Sequence, residues 1–236
     1  MCSSDLRGLF HRAGVMSGSA LRMMPEEMAN ANTARLLKAL DIAPGDTDAL
    51  QAVPWTTLLA TQAKLEAAAR AKGEAPTSFA PVVDGKVLPR HPFAPDAPDV
   101  SRDVPLIVST ALDERSYRMG NFDMTEAELL EFARGRAGDR AKEVVDLYRD
   151  ESPEEKPFLL AARMDSDIWF RKGAFAQAEL KAKQGGATVW SYLWTWPSPA
   201  HGRRSGAVHG TDSADGRRAG DEGRDRVSAC ASTQHT

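Results

Sequence analysis

Apolar and polar positions along the chain follow two alternating periods. Short apolar runs suited to buried strands occur at Val15 to Gly18, Leu106-Ile107-Val108 and Thr188 to Trp196. Between them, apolar residues recur at three- and four-residue spacing, as on one face of a helix. Pro25-Glu26-Glu27 opens a helix carrying Ala34, Leu37 and Leu40, with acids in its first turn and Pro44-Gly45 ending it. Asp46 to Ala71 predicts further helix, with Leu58, Leu59 and Leu65 as its apolar positions. Phe79 to Leu88 reads as a hairpin-like segment turning at Asp84-Gly85. His91 to Pro105 is proline-rich and irregular.

Helix returns after Glu114. Thr125-Glu126-Ala127-Glu128 is a capping box ahead of Leu129, Leu130 and Phe132. Ser152-Pro153-Glu154-Glu155 repeats the device, and a long amphipathic helix follows from about Phe158 to Lys183, with Gly173 as its weak point. Gly185-Gly186 stops it. In the last strand Trp190, Tyr192, Trp194 and Trp196 share one face, which predicts packing against a neighbouring helix, with the lining of a substrate pocket as the alternative. Strands alternating with helices predict an α/β sheet protein.

Composition narrows the function classes. The chain has 236 residues, 42% hydrophobic and 27% charged, as in an ordinary globular protein, and is long enough for a sizeable core. A formal charge of −3 gives no electrostatic case for nucleic acid or an anionic membrane. No stretch approaches the roughly 20 apolar residues that span a bilayer. Cys2 and Cys230 belong to no metal-ligand or redox spacing, so no metal is implied. Between Ser213 and Thr236 there is one valine and no Leu, Ile, Met or aromatic residue. Such a tail cannot bury enough apolar surface to fold.

The chemistry gathers behind the central strand. Asp113-Glu114 follows the run at Leu106, and reactive groups of open α/β sheets collect beyond the carboxyl ends of strands. An acid there could orient a histidine in a Ser-His-acid triad. Alone, an Asp-Glu pair is a solvated loop acid.

Five sequence blocks change that balance. They are Gly8-Leu9-Phe10-His11-Arg12-Ala13 with Val15-Met16-Ser17-Gly18-Ser19, Phe79 to Gly85 with Leu88-Pro89, and Val104 to Glu114. The others are Ser166-Asp167 leading to Val189 to Trp194, and Gly206-Ala207-Val208-His209-Gly210. Together, and in this order, they resemble the type B carboxylesterases, the family of para-nitrobenzyl esterases and cholinesterases. The resemblance implies an α/β-hydrolase fold, of which residues 7–212 are the C-terminal part, with flanking helices and an incomplete sheet. It implies a small-molecule carboxylic ester as substrate of the full-length parent, hydrolysed through a serine acyl-enzyme, with no cofactor. Carried over by position, Glu114 is the acid and His209 the general base, with Asp113 the alternative acid.

No serine of this chain stands in a G-x-S-x-G frame, so the nucleophile and the oxyanion loop are expected upstream. Ser17 and Ser19 read as turn residues. The chain alone is then expected to be inactive. Residues 1–6 depart from the family pattern and read as a non-native start. Residues 213–236 break off inside a motif, as a frame-shifted or disordered tail would. A chain lacking the serine also fits a non-catalytic cholinesterase-like interaction module or a pseudogene product, although an adhesion module needs neither Glu114 nor His209. A helical binding protein with accidental matches is a third alternative, distinguished by strand order.

Overall fold

The computed structural model describes residues 8–74 and 78–196. His209, the Gly206 to Gly210 block, the start at residues 1–6 and the tail from residue 213 lie outside the described residues. The strands are β1 (Ala13–Met16), β2 (Met24–Pro25), β3 (Val82–Val83), β4 (Leu106–Ala111) and β5 (Val189–Trp194). The helices are α1 (Glu26–Ala39), α2 (Thr47–Ala52), α3 (Trp55–Ala71), α4 (Glu126–Ala137), α5 (Ala141–Glu151), α6 (Pro157–Ser166) and α7 (Lys172–Lys183). Two compact units divide them, one containing residues 21–74 and 78–101, the other residues 10–20 together with 102–196.

In the first unit α1 starts after Pro25, with Glu26 and Glu27 in its first turn and Lys38 in its last, complementing the helix dipole. Buried Asn32 donates to the carbonyl of Ser78 at 2.7 Å. The helix expected over Asp46 to Ala71 is two helices. Val53 precedes Pro54 and is held in the extended region (φ −71°, ψ 126°), so α2 ends there and α3 begins at Trp55. The expected hairpin is also corrected. The Asp84 carboxylate accepts from the amides of Lys86 and Leu88, both at 2.9 Å, and Gly85 takes φ 73° to close the turn. However, β3 pairs in parallel with β2, Met24 opposite Val82.

The second unit is built on a parallel sheet of order β1-β4-β5. Ala13, Leu106 and Val189 align across it, as do Gly14, Ile107 and Trp190. Helix α7 packs on β4 and β5. Its C-terminal end is tied to the approach to β4: Lys181 Nζ donates to the Arg102 carbonyl at 2.7 Å and the Ala187 amide to the same oxygen at 2.8 Å. A Cβ on Gly186 would lie 2.3 Å from that oxygen, so only glycine fits this crossing. The aromatic row does not pack on a helix as expected. Trp190 is 50% exposed and Trp194 54%, and with Met16 and Ile107 they leave one sheet face apolar and open among the described residues.

Helices α4, α5 and α6 enclose a core of Leu129, Ala133, Ala141, Leu160, Ala161 and Met164. The capping box at Thr125 and Glu128 is present, with both of its hydrogen bonds. Its supposed repeat at Ser152 is not: Ser152 ends α5, and α6 begins at Pro157 after Lys156. Proline suits that first position because the missing N–H is one the helix would leave unpaired. From Phe158 to Ser166 every residue is buried. The chain then passes through a π turn, Asp167–Arg171, directly into α7. Gly173 does not interrupt the helix. Its missing side chain admits the Ser19 carbonyl oxygen, which would lie 3.2 Å from a Cβ.

Candidate active site at the carboxyl end of the parallel sheet

Three strands running the same way bring their carboxyl ends to one edge. The amides of β4 alternate in direction: Leu106 and Leu112 donate to the β5 side, to the carbonyls of Thr188 and Trp194. On the opposite side the Ser17 amide donates to the Ser109 carbonyl at 2.8 Å, the last rung between β1 and β4. One step further the amide of Ala111 has no backbone partner, because β1 has ended. The Glu114 carboxylate fills that place. Its Oε2 accepts from the Ala111 amide at 2.9 Å and from the hydroxyl of Ser17.

Both groups are held in unusual surroundings. Glu114 is 3% exposed and opens a tight 3-10 turn, Glu114–Arg118. Ser17 adopts φ 58°, a left-handed conformation that non-glycine residues avoid. That conformation turns the chain out of β1 while its hydroxyl reaches the acid, 97 residues away in sequence. Nothing local marks Ser17 for this role, since its sequence context reads only as that of a turn residue. The two blocks that meet here, Val15 to Ser19 and Val104 to Glu114, were nonetheless both visible in the sequence.

The neighbouring acid has a different fate. Asp113 is equally buried, but its Oδ1 accepts from Arg163 Nε at 3.0 Å. Arg163 also donates to Ser152 Oγ at 2.9 Å. A carboxylate committed to a buried guanidinium is poorly placed to orient an imidazole. Geometry therefore separates the pair: Asp113 faces the helices and Glu114 faces the strand ends.

Around this turn α6 supplies further anchors. The Arg115 amide donates to Ser166 Oγ at 2.9 Å, and that hydroxyl donates to the Ala162 carbonyl at 2.6 Å. The Arg115 guanidinium lies over the Trp169 ring, 5.7 Å from its centroid. Asp165 accepts from Arg136 at 2.5 and 3.1 Å.

Other positions offer less. His91 accepts from the Met23 amide at 3.2 Å, which makes it a structural loop residue. An apolar groove of about 450 Å³ lined by Leu36, Leu50, Trp55, Leu58, Leu59 and Phe79 contains no acid or base. Among the described residues no cluster of three or more His, Cys, Asp or Glu could hold a metal ion, and no helix is long and apolar enough to cross a membrane.

Comparison with known proteins bears on this arrangement. The model of the carboxylesterase family matches residues 1–214. The para-nitrobenzyl esterase of Bacillus subtilis (strain 168) is 30% identical over 195 residues, 80% of this chain and 37% of its own length. The phenmedipham hydrolase of Pseudarthrobacter oxydans is 24% identical over 209 residues, 86% of this chain and 40% of its own. Among solved structures, a carboxylesterase of Geobacillus stearothermophilus superposes with a TM-score of 0.59 at 27% identity, covering 86% of this chain and 42% of that one. The chain thus spans about two fifths of the length of these relatives.

Proposed function

Because the chain belongs to the carboxylesterase family and carries part of the α/β-hydrolase fold, we propose that it supplies the acid and the base of a serine carboxylesterase. Glu114 is the orienting acid and His209 the general base. In such a triad the acid accepts from one ring N–H of the histidine, and the other ring nitrogen takes the proton of the attacking serine hydroxyl. The imidazolium formed in that step is stabilised by the carboxylate and then protonates the departing alcohol. Water repeats the sequence to release the acid product. The substrate is a small carboxylic ester, as the name of the related para-nitrobenzyl esterase suggests.

The observation that carries this reading is the placement of Glu114. It is buried at the carboxyl end of the central strand, with Oε2 anchored by the Ala111 amide and the Ser17 hydroxyl. A carboxylate fixed in that way can hold an imidazole in one orientation and one tautomer. Ser17 is spent on this anchor, so it is a positioning group. No residue of this chain is assigned as nucleophile, and the chain alone is expected to leave p-nitrophenyl esters unhydrolysed.

The test uses a polypeptide in which these residues follow a segment with a G-x-S-x-G serine. Glu114→Gln should lower kcat on p-nitrophenyl butyrate by about 10⁴-fold with little change in KM, as loss of the orienting acid does elsewhere. His209→Ala should cost at least as much. Full turnover in Glu114→Gln, with loss in Asp113→Asn at unchanged thermal stability, would transfer the role to Asp113.

A further inference from the structure

Resting on Glu114 as the orienting acid, we propose that the π turn Asp167–Arg171 is the element that positions it, with Arg171 as the positioning residue. Three observations meet here. Arg171 Nη2 donates to the carbonyl of Leu112 at 2.8 Å and reaches that of Ala111 at 3.4 Å, just ahead of the acid. Ser166 holds the amide of Arg115, just behind it. Glu114 is thus gripped through its backbone on both sides by one continuous helical element.

Helical geometry explains why a π turn is needed. Ser166 and Arg171 are five residues apart. At 3.6 residues per turn such residues lie about 140° apart around an α-helix and cannot both face one loop. In the π turn the Lys172 amide donates to the carbonyl of Asp167, five residues back. This wider turn narrows the angle between residues five apart. Ser166 and Arg171 then face the same strand end.

The side chain is itself pre-oriented. Asp167 pairs with Nη1 of Arg171 and accepts from the hydroxyl of Tyr148 on α5. Arginine suits this post because its planar fork can serve an acid and a carbonyl at once, which a lysine ammonium on a flexible stem does less well. Burial draws the guanidinium below its ordinary value, with Tyr148 and Asp113 opposing the shift. Arginine nonetheless stays charged at any pH of interest.

Amide hydrogen exchange on the full chain tests the proposal without requiring turnover. The Ala111 amide donates to Glu114 Oε2, so its protection reports whether the carboxylate is in place. Glu114→Ala fixes the level of an unprotected Ala111. In Arg171→Gln, Ala111 should exchange about 10 to 100 times faster, the loss of a hydrogen bond to a charged group. Val108, in the middle of β4, should keep its protection. Arg171→Lys should recover part of the difference and also serves if the glutamine variant does not fold. Unchanged exchange at Ala111 in both variants overturns the proposal. So does an equal loss at Val108, which would make Arg171 a general support of the sheet. If the exchange pattern holds while Glu114→Gln retains turnover in the longer polypeptide, the clamp stands and the catalytic reading of Glu114 falls.

Discussion

Helices α3 and α6 both carry abundant apolar residues, yet they live in opposite environments. Along α3 only Ala69 is buried, while Trp55 is 72% and Leu59 59% exposed. Along α6 every residue from Phe158 to Ser166 is buried, including the charged Arg163 and Asp165. Hydrophobic pattern alone does not separate them. The difference lies in partners: α6 is enclosed by α4, α5 and the turn after β4, and each of its buried charges meets an opposite one. Stability should concentrate where charge is buried and paired. The helix with the more prominent apolar side chains should be the tolerant one.

Breaking the buried pair is the strongest way to test that contrast. Arg163→Met removes the guanidinium that Asp113 meets at 3% exposure and should cost about 3–5 kcal/mol in urea unfolding. Asp113→Asn in the same background should return part of the loss. A smaller cost would mean that water reaches the pair. Next, Leu160→Ala removes a fully buried side chain and should cost about 2–5 kcal/mol.

At the entrance to α4, Thr125→Ala should cost about 1 kcal/mol, a typical cap. This effect should depend on pH. Hydrogen bonds from the Thr125 amide and hydroxyl hold the Glu128 carboxyl below its ordinary value. A depressed folded-state value means the contribution of Glu128 is complete above its unfolded value and fades as pH falls through the folded one. The difference between wild type and Thr125→Ala should therefore narrow on acidification, and a gap that widens would refute the capping account. Smallest of all, Leu59→Ala in α3 should change stability by no more than about 0.5 kcal/mol. A large loss there would show that the apolar groove beside it is filled in solution.

How much of this was legible in the sequence depended on how local its cause was. The strand at Leu106 and the capping box at Thr125 each carry their signal within a few residues, and both are found where expected, whereas Glu114 stands out only through the resemblance of blocks far apart in the chain. Pro54 splits a helix by a local rule that the apolar spacing around it concealed. Ser152-Pro153-Glu154-Glu155 has the letters of a cap, but Ser152 is spent on ending α5 and on Arg163. The π turn has no sequence signature in Asp167 to Arg171. It is stabilised by Tyr148 and by carbonyls about sixty residues upstream. The open aromatic face misled for the opposite reason: alternation showed correctly which side chains share a side, but not what lies against that side.

The order of the sheet has a consequence for construction. Strands β1 and β4 are neighbours in space, yet residues 21–101 form a unit of their own between them along the chain. Closing a long loop costs little more than closing a shorter one, since each doubling of length adds only about 0.6 kcal/mol. The length of the connection is therefore a weak determinant of whether Ala13 meets Leu106. The acid and its serine anchor, 97 residues apart, are brought together by the register of the sheet and not by their distance along the chain.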